Sequence, residues 1–153
     1  MMNNRDNLIS IIVPCYNEEH AIPYFYRAIT EHSTLMKNEF GVDFEYLFIN
    51  DGSVDNTLTV LKEYASKDNR VKYISFSRNF GKESAMYAGL KNASGNYIAI
   101  MDADLQDPPY MLTEMYKTII ESDYDCEIEA VLASNEQKVE YGQPLFKVKK
   151  LED

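Results

Sequence analysis

The sequence predicts an α/β fold: a mostly parallel sheet covered by helices on both faces. Three observations carry this. Strand-like and helix-like patterns alternate from residue 8 to about residue 122. The strand-like runs are continuously apolar, as strands buried on both sides are. Polar clusters follow the first, second and fourth runs, Tyr16-Asn17-Glu18, Asp51-Gly52-Ser53 and Asp102-Ala103-Asp104. That is the carboxyl edge, where such sheets bind ligands.

The first strand, LISIIVP (8–14), is β-branched and stopped by Pro14. A helix over 19–37 follows, with Ile22, Phe25, Ile29 and Met36 on one side and Pro23 tolerable only near its first turn. Glu18 and Glu19 there read as first-turn acids favoured by the helix dipole. DFEYLFIN (43–50) is the second strand, and Asp55 is a good N-cap for the next helix, which carries Leu58, Leu61 and Ala65 at helical spacing. The third strand is VKYISFS (71–77). In ESAMYAGLKNA after it, Ala85, Ala88 and Gly89 form a small-residue face for close packing on a sheet. NYIAIMDAD (96–104) is the fourth strand. Asp107 caps a last helix with Pro108 in its first turn and Leu112, Met115 and Ile119 on its inner face.

From about residue 123 the periodicity stops. Strand-like EIEAVLA and PLFKVKK flank a turn at Tyr141-Gly142. Two parts are therefore expected, 1–122 and a short tail of different origin, 123–153. A sheet ending after four strands leaves an edge; either the tail pairs there or the edge drives homo-oligomerisation.

At 153 residues the chain can bury a real core. Its net charge of −10 argues against a general nucleic-acid binder. Cys15 and Cys126 have neither metal-ligand spacing nor a disulfide framework. MMNNRDNLIS lacks the apolar core of a signal peptide, and no run approaches the roughly 18 apolar residues of a membrane span. A cytoplasmic chain with reduced thiols is expected. His20 and His32 lack the partners of a catalytic triad and read as surface residues, and Gly81-Lys82 lacks P-loop spacing.

The stretch IMDADLQDPP gathers acids where a buried strand should end. Asp102, Asp104 and Gln106 are two residues apart, so continued extension would turn all three to one face. Such oxygens suit Mg²⁺ or Mn²⁺ and leave positions for phosphate. Capping and a solvated turn explain Asp107 well and Asp104 poorly. They hardly explain Asp102, which directly follows Ile100-Met101. Asp51 also ends an apolar strand, and Gly52 lets backbone approach a ligand; its carboxylate can accept from a base or ribose, or the segment is a plain strand-to-helix turn. Arg78 and Lys82 are either diphosphate-neutralising cations or exposed charge.

Together VPCYNEE, NDGSVDNT, SRNFGKESAMYAGL and DADLQDPP, in order over residues 8 to about 122, resemble the signatures of inverting family 2 glycosyltransferases. The polyprenol-phosphate branch, dolichol-phosphate mannose synthases and bactoprenol glucosyltransferases, is the nearest. The resemblance implies a GT-A fold binding a nucleoside-diphosphate sugar, by family preference a UDP-sugar, with a lipid-phosphate acceptor at the cytoplasmic face of a membrane. It implies Pro14, Tyr16 and Glu18 at the nucleoside, Asp51 at the base, and Ser53 and Lys82 as further substrate-binding positions. Asp102 and Asp104 stand as the catalytic DXD pair, with Gln106 a further metal ligand. The family's acceptor-side segments have no counterpart here, which implies a truncated domain. Two functions follow: metal-dependent sugar transfer to polyprenyl phosphate, or a non-catalytic remnant that binds nucleotide and metal without transfer. EIEAV and KVEYGQPLFKVKK resemble the end of a biotin carboxyl carrier domain, without the Met-Lys-Met that carries biotin.

Overall fold

The computed structural model describes residues 7–122, 126–131 and 146–150. The elements run β1 (Leu8–Cys15), α1 (Ala21–Phe40), β2 (Asp43–Asn50), α2 (Thr57–Lys67), β3 (Val71–Ser75), α3 (Lys82–Asn92), β4 (Tyr97–Ile100) and α4 (Tyr110–Ser122). Strands β1 to β4 form one parallel sheet in the order β3-β2-β1-β4. That order reverses between β1 and β4. A second, two-stranded antiparallel sheet pairs β5 (Cys126–Val131) with β6 (Phe146–Lys150). The tail's two strand-like pieces thus pair with each other. The expected turn at Tyr141-Gly142 lies outside the described residues. Two compact units, Met1–Leu112 and Thr113–Asp153, make up the chain.

The alternation of side chains along β1 and β2 builds a core on each face of the sheet. On one face Ile12, Leu47 and Ile49 meet Ala85 of α3. The small-residue face of α3 is needed here: a Cβ on Gly89 would stand 2.4 Å from Ile12 Cγ2. On the other face Phe25 of α1 meets Phe48 edge-to-face, with ring centroids 6.0 Å apart, and the Tyr46 hydroxyl donates to Ser33 Oγ at 2.7 Å. Burying each such large side chain stabilises the fold by about 1.5–3 kcal/mol. Ile22, Phe25, Ile29 and Met36 are all buried, as their spacing predicts. A tilted ring contact between Tyr26 and Tyr64, with centroids 4.5 Å apart, joins α2 to α1.

Continuous burial holds for β1 and β2 only. β3 and β4, each with one strand neighbour, are partly open: β3 exposes Lys72, Tyr73 and Ser75, and β4 alternates, with Ile98 and Ile100 43% and 36% exposed. Several boundaries differ from the sequence reading. β1 runs through Pro14 to Cys15, Pro14 lying opposite Ile49. α1 starts at Ala21, so Glu18 and Glu19 precede its first turn; it ends where Gly41, at φ +70°, donates its N–H to the Lys37 carbonyl. β3 stops at Ser75 and β4 at Ile100 rather than 104. α4 starts at Tyr110, leaving Asp107 outside its cap, and while Leu112 is buried, Met115 and Ile119 are exposed. His32 is half-buried rather than a surface residue.

The amino end of the sheet is tied by one buried carboxylate. Glu45 Oε1 accepts from the Ser10 hydroxyl and the Ser94 N–H, each at 2.6 Å, and Oε2 from Lys72 Nζ at 2.8 Å. The Ser10 hydroxyl in turn accepts the Gly95 N–H at 2.8 Å, fixing the turn into β4. Among the described residues no buried side-chain nitrogen or oxygen lacks a partner. Burial would raise the Glu45 pKa, but the bonds from Lys72, Ser10 and Ser94 outweigh it and leave the carboxyl below its ordinary value. A depressed carboxylate stabilises the fold above the unfolded-state pKa, about 4.3, and loses that contribution as pH falls through the folded value. Glu45→Ala should cost about 2–4 kcal/mol in urea denaturation at neutral pH, because several buried donors lose their acceptor. The gap between variant and parent should narrow as the pH is lowered.

Candidate active site

The loops after β1, β2, β3 and β4 meet at the carboxyl edge of the sheet and cross-link one another. The Asp51 N–H donates to the Cys15 carbonyl at 2.8 Å, which continues the β1–β2 ladder into the loops. Beyond it Asn17, at φ +53°, donates its N–H to Ser53 Oγ and accepts the Val54 N–H on Oδ1, both at 2.9 Å. The Glu18 N–H donates to Thr57 Oγ1 at 2.9 Å. Asp55 accepts both the N–H and the hydroxyl of Thr57, so it serves the start of α2 from one residue before the formal cap, Asn56.

Asp51 holds the loop after β3. Its side chain is buried, and its carboxylate accepts the Phe80 N–H at 2.7 Å, the Gly81 N–H at 3.0 Å and Asn79 Nδ2 at 3.2 Å. Gly52 makes this approach possible. At φ +67° it is left-handed, and a Cβ there would lie 2.1 Å from the Arg78 carbonyl carbon. The loop sets Lys82 at the first position of α3, while Arg78 stacks over the Phe80 ring at 4.4 Å.

After β4 the chain turns. The Met101 N–H makes a last bond to the Ile12 carbonyl, and the Leu105 N–H then reaches back to the Asp102 carbonyl with Leu105 at φ +59°. Extension past Asp102, the premise for placing Asp102, Asp104 and Gln106 on one face, does not occur. The turn brings them together instead, and Asp104 Oδ1 accepts the Gln106 N–H within it.

These loops enclose a cavity of about 340 Å³ beside the point where strand order reverses. Pro14, Tyr16 and Glu18 line it from β1, Asp51 from β2, and Lys82 from α3. Asp102, Asp104 and Gln106 form the β4 side. Of the sequence-predicted positions Ser53 and Arg78 are absent from the wall; the Ser53 hydroxyl serves Asn17, and Arg78 lies over the Phe80 ring. Cys15 and Ala103 also line the cavity, and neither carries a signal of its own in the sequence.

The cavity is electronegative. Glu18 is pushed above its ordinary value by burial first, then by Asp104, Asp102 and Asp55. Burial, with Glu18 and Asp102, pushes the Cys15 thiol far up as well, so it stays protonated and inert. Lys82 Nζ lies 2.6 Å from Asp102 Oδ1 and is the ammonium that faces the cluster. No group of three or more His, Cys, Asp or Glu side chains among the described residues is placed to hold a metal ion. Any cation here would take two carboxylates at most and complete its shell with substrate oxygens and water, the usual arrangement for Mg²⁺.

A parallel sheet with a polar cavity at its switch point defines an α/β protein built to bind a ligand beyond its strand ends. The chain belongs to glycosyl transferase family 2, whose sequence model it matches over residues 10–152. It is 48% identical over 113 residues to the glycosyltransferase CsbB of Bacillus subtilis, covering 74% of this chain and 33% of CsbB. It is likewise 48% identical over 100 residues to the bactoprenol glucosyl transferase of Shigella phage SfV, covering 65% of this chain and 31% of that protein. The chain thus spans about a third of the length of these relatives. Among solved structures it resembles the mannosyltransferase PcManGT of Pyrobaculum calidifontis in complex with GDP-Man and Mn²⁺, with a TM-score of 0.62, 21% identity, and 77% and 34% of the two chains covered. It also resembles TarS of S. aureus in complex with UDP, with a TM-score of 0.61, 26% identity, and 86% and 38% covered. The fold is GT-A, as in these neighbours.

Asp51→Asn would replace an acceptor oxygen with an amide facing N–H donors. Amide exchange at Phe80 and Gly81 should accelerate in that variant while the β1–β2 amides stay protected. Glu18 gives a second test. Its folded pKa is raised, so its ionisation opposes folding above the unfolded-state value and not below it. Glu18→Gln should raise the melting temperature at about pH 7 and leave it nearly unchanged near pH 3.

Proposed function

We propose that residues 1–122 form the donor-binding part of an inverting glycosyltransferase, with 123–153 a tail outside it. The substrate is a nucleoside-diphosphate sugar, a UDP-sugar by preference, and the acceptor a polyprenyl phosphate. The observation that carries this reading is the cavity itself, whose wall Asp102, Asp104 and Gln106 share with Lys82, the ammonium paired with Asp102. Its volume falls within the range of small-molecule sites, about 300–1,000 Å³. The relative from phage SfV supports the acceptor class, and TarS, solved with UDP, supports the nucleotide.

In this reading Pro14, Tyr16 and Glu18 form the nucleoside wall. Tyr16, 48% exposed, offers a ring face to a base. Asp51 is occupied by loop donors, so its part in binding the base is to shape the pocket floor and offer its remaining lone pairs. The hard oxygens of Asp102, Asp104 and Gln106 suit Mg²⁺ or Mn²⁺; Glu18 is raised by burial first, and such an ion would relieve the part that the charges of Asp104 and Asp102 add. When bound, the ion would stabilise charge developing on the leaving diphosphate. The acceptor phosphate is already an anion, so it needs orientation more than a base. Attack by its oxygen on the anomeric carbon expels the nucleoside diphosphate with the bond's electron pair and inverts configuration. Among the described residues no helix is long and apolar enough to cross a membrane.

Binding without transfer is the second reading, because among the described residues the cavity wall comes from the chain at the ends of β1, β2 and β4 and the start of α3. Thermal shift with UDP, UDP-glucose and GDP-mannose, with and without Mn²⁺, separates the cases when paired with a sugar-transfer assay on polyprenyl phosphate. Ligand at a hundredfold over its dissociation constant should stabilise the fold by about 2.7 kcal/mol, and Asp102→Ala and Asp104→Ala should each abolish that shift. A chain that melts cooperatively and shows no shift with any donor would refute the donor site.

A further inference from the structure

We propose that Lys82 is an internal counter-cation that occupies Asp102 in the empty site and is drawn off by the incoming diphosphate. Metal and nucleotide then bind with strong positive coupling. The inference rests on the donor-site reading above and adds a mechanism by which that site refuses metal alone.

Lys82 Nζ sits 2.6 Å from Asp102 Oδ1, one of the oxygens a cation at the acidic pair would use. A divalent ion takes carboxylate oxygen at about 2.0–2.6 Å. An ion bound to Asp102 would therefore lie within a few ångströms of a full positive charge. Either the ammonium leaves or the ion binds weakly. The pair itself is exchangeable: the two side chains are 58% and 37% exposed, and ion pairs in that setting are weak.

The backbone of Lys82 is held in place while its side chain is free to move. Gly81 precedes it at φ +101°, with its N–H on the Asp51 carboxylate and its carbonyl accepting the Ala85 N–H. The Cα is thus pinned at the cavity wall, and a flexible four-carbon stem carries the charge from one anion to another. In the empty site Glu18, Asp102 and Asp104 line the cavity with Lys82, whose ammonium is paired with Asp102 among the described residues. A diphosphate offers Lys82 a second anionic partner. Moving there frees Asp102 and removes the charge that repelled the metal. By linkage, the factor by which nucleotide tightens metal equals the factor by which metal tightens nucleotide.

Calorimetric titration of Mn²⁺ into the full chain, with and without saturating UDP, tests this with Lys82→Met and Lys82→Arg alongside. The parent should bind Mn²⁺ about tenfold or more tightly with UDP present. Lys82→Met should bind Mn²⁺ alone about threefold or more tightly than the parent, show a smaller UDP enhancement, and bind UDP alone more weakly. Lys82→Arg, which keeps the charge, should behave as the parent. Tighter metal binding on removal of Lys82 is an outcome that mere loss of structure does not produce, and melting curves check the fold of each variant. Equal or weaker Mn²⁺ binding in Lys82→Met overturns the counter-cation role while leaving the donor site standing. Absence of Mn²⁺ binding in all three proteins, with UDP or without, overturns the donor-site reading and this inference with it.

Discussion

Asp51 is a carboxylate taken almost wholly out of water at the end of β2, and it persists there because the loop after β3 turns backbone N–H groups onto it. Such a group is costly to bury unless its charge is met by donors. The requirement works in both directions. Phe80 and Gly81 gain an acceptor for amides that no strand or helix satisfies, and the carboxylate gains its solvation. Through this contact the position of α3 follows from the position of β2. Lys82, at the start of α3, is thereby delivered to the cavity wall, where it pairs with Asp102.

The two ends of the sheet divide stability from function. At the amino end Glu45 is saturated by Ser10, Ser94 and Lys72, and its charge contributes to holding β1, β2 and β3 in place. At the carboxyl end Glu18, Asp104 and Asp102 crowd one another, and among the described residues Lys82 is the ammonium paired with them. The same residue type serves opposite purposes because its donors differ. A network with every partner supplied from within stabilises a fold. One left short of positive charge is a place for something else to bind.

Most of the frame was legible in the sequence because it follows from periodicity: the buried face of α1, the span of β2 and the small-residue face of α3 are properties of local pattern. The gathering of acids after Met101 was also legible, since an apolar run that ends in carboxylates has few structural explanations. The route by which they gather was not. A turn with Leu105 at positive φ replaces the extension that period-two spacing suggested, and positive φ at a leucine has no sequence signal. Nor could spacing reveal that Asn17, Glu18 and Glu19 bond to Ser53, Val54, Thr57 and Asp55 across two loops. Those bonds join residues more than thirty positions apart. The exposure of Met115 and Ile119 follows the same rule: helical spacing defines a face and leaves open what meets it.

The strand order also sets a sequence of events. β1 is the central strand, and its partner on the far side, β4, lies at the other end of the fold in chain terms; the Leu8 N–H donates to Asn96 Oδ1 across 88 residues. Closing a loop of that length carries an entropic cost that local pairing does not, and parallel sheets with such crossovers fold slowly. During synthesis β1 and β2 can pair long before β4 has left the ribosome. The nascent chain therefore acquires the Pro14, Tyr16 and Glu18 side of its cavity early and its acidic pair late, and it passes through a stage in which a partly formed sheet exposes the bare edge of β1. At that stage the protein is most vulnerable to pairing with another strand, and docking of β4 both closes that edge and delivers Asp102 and Asp104.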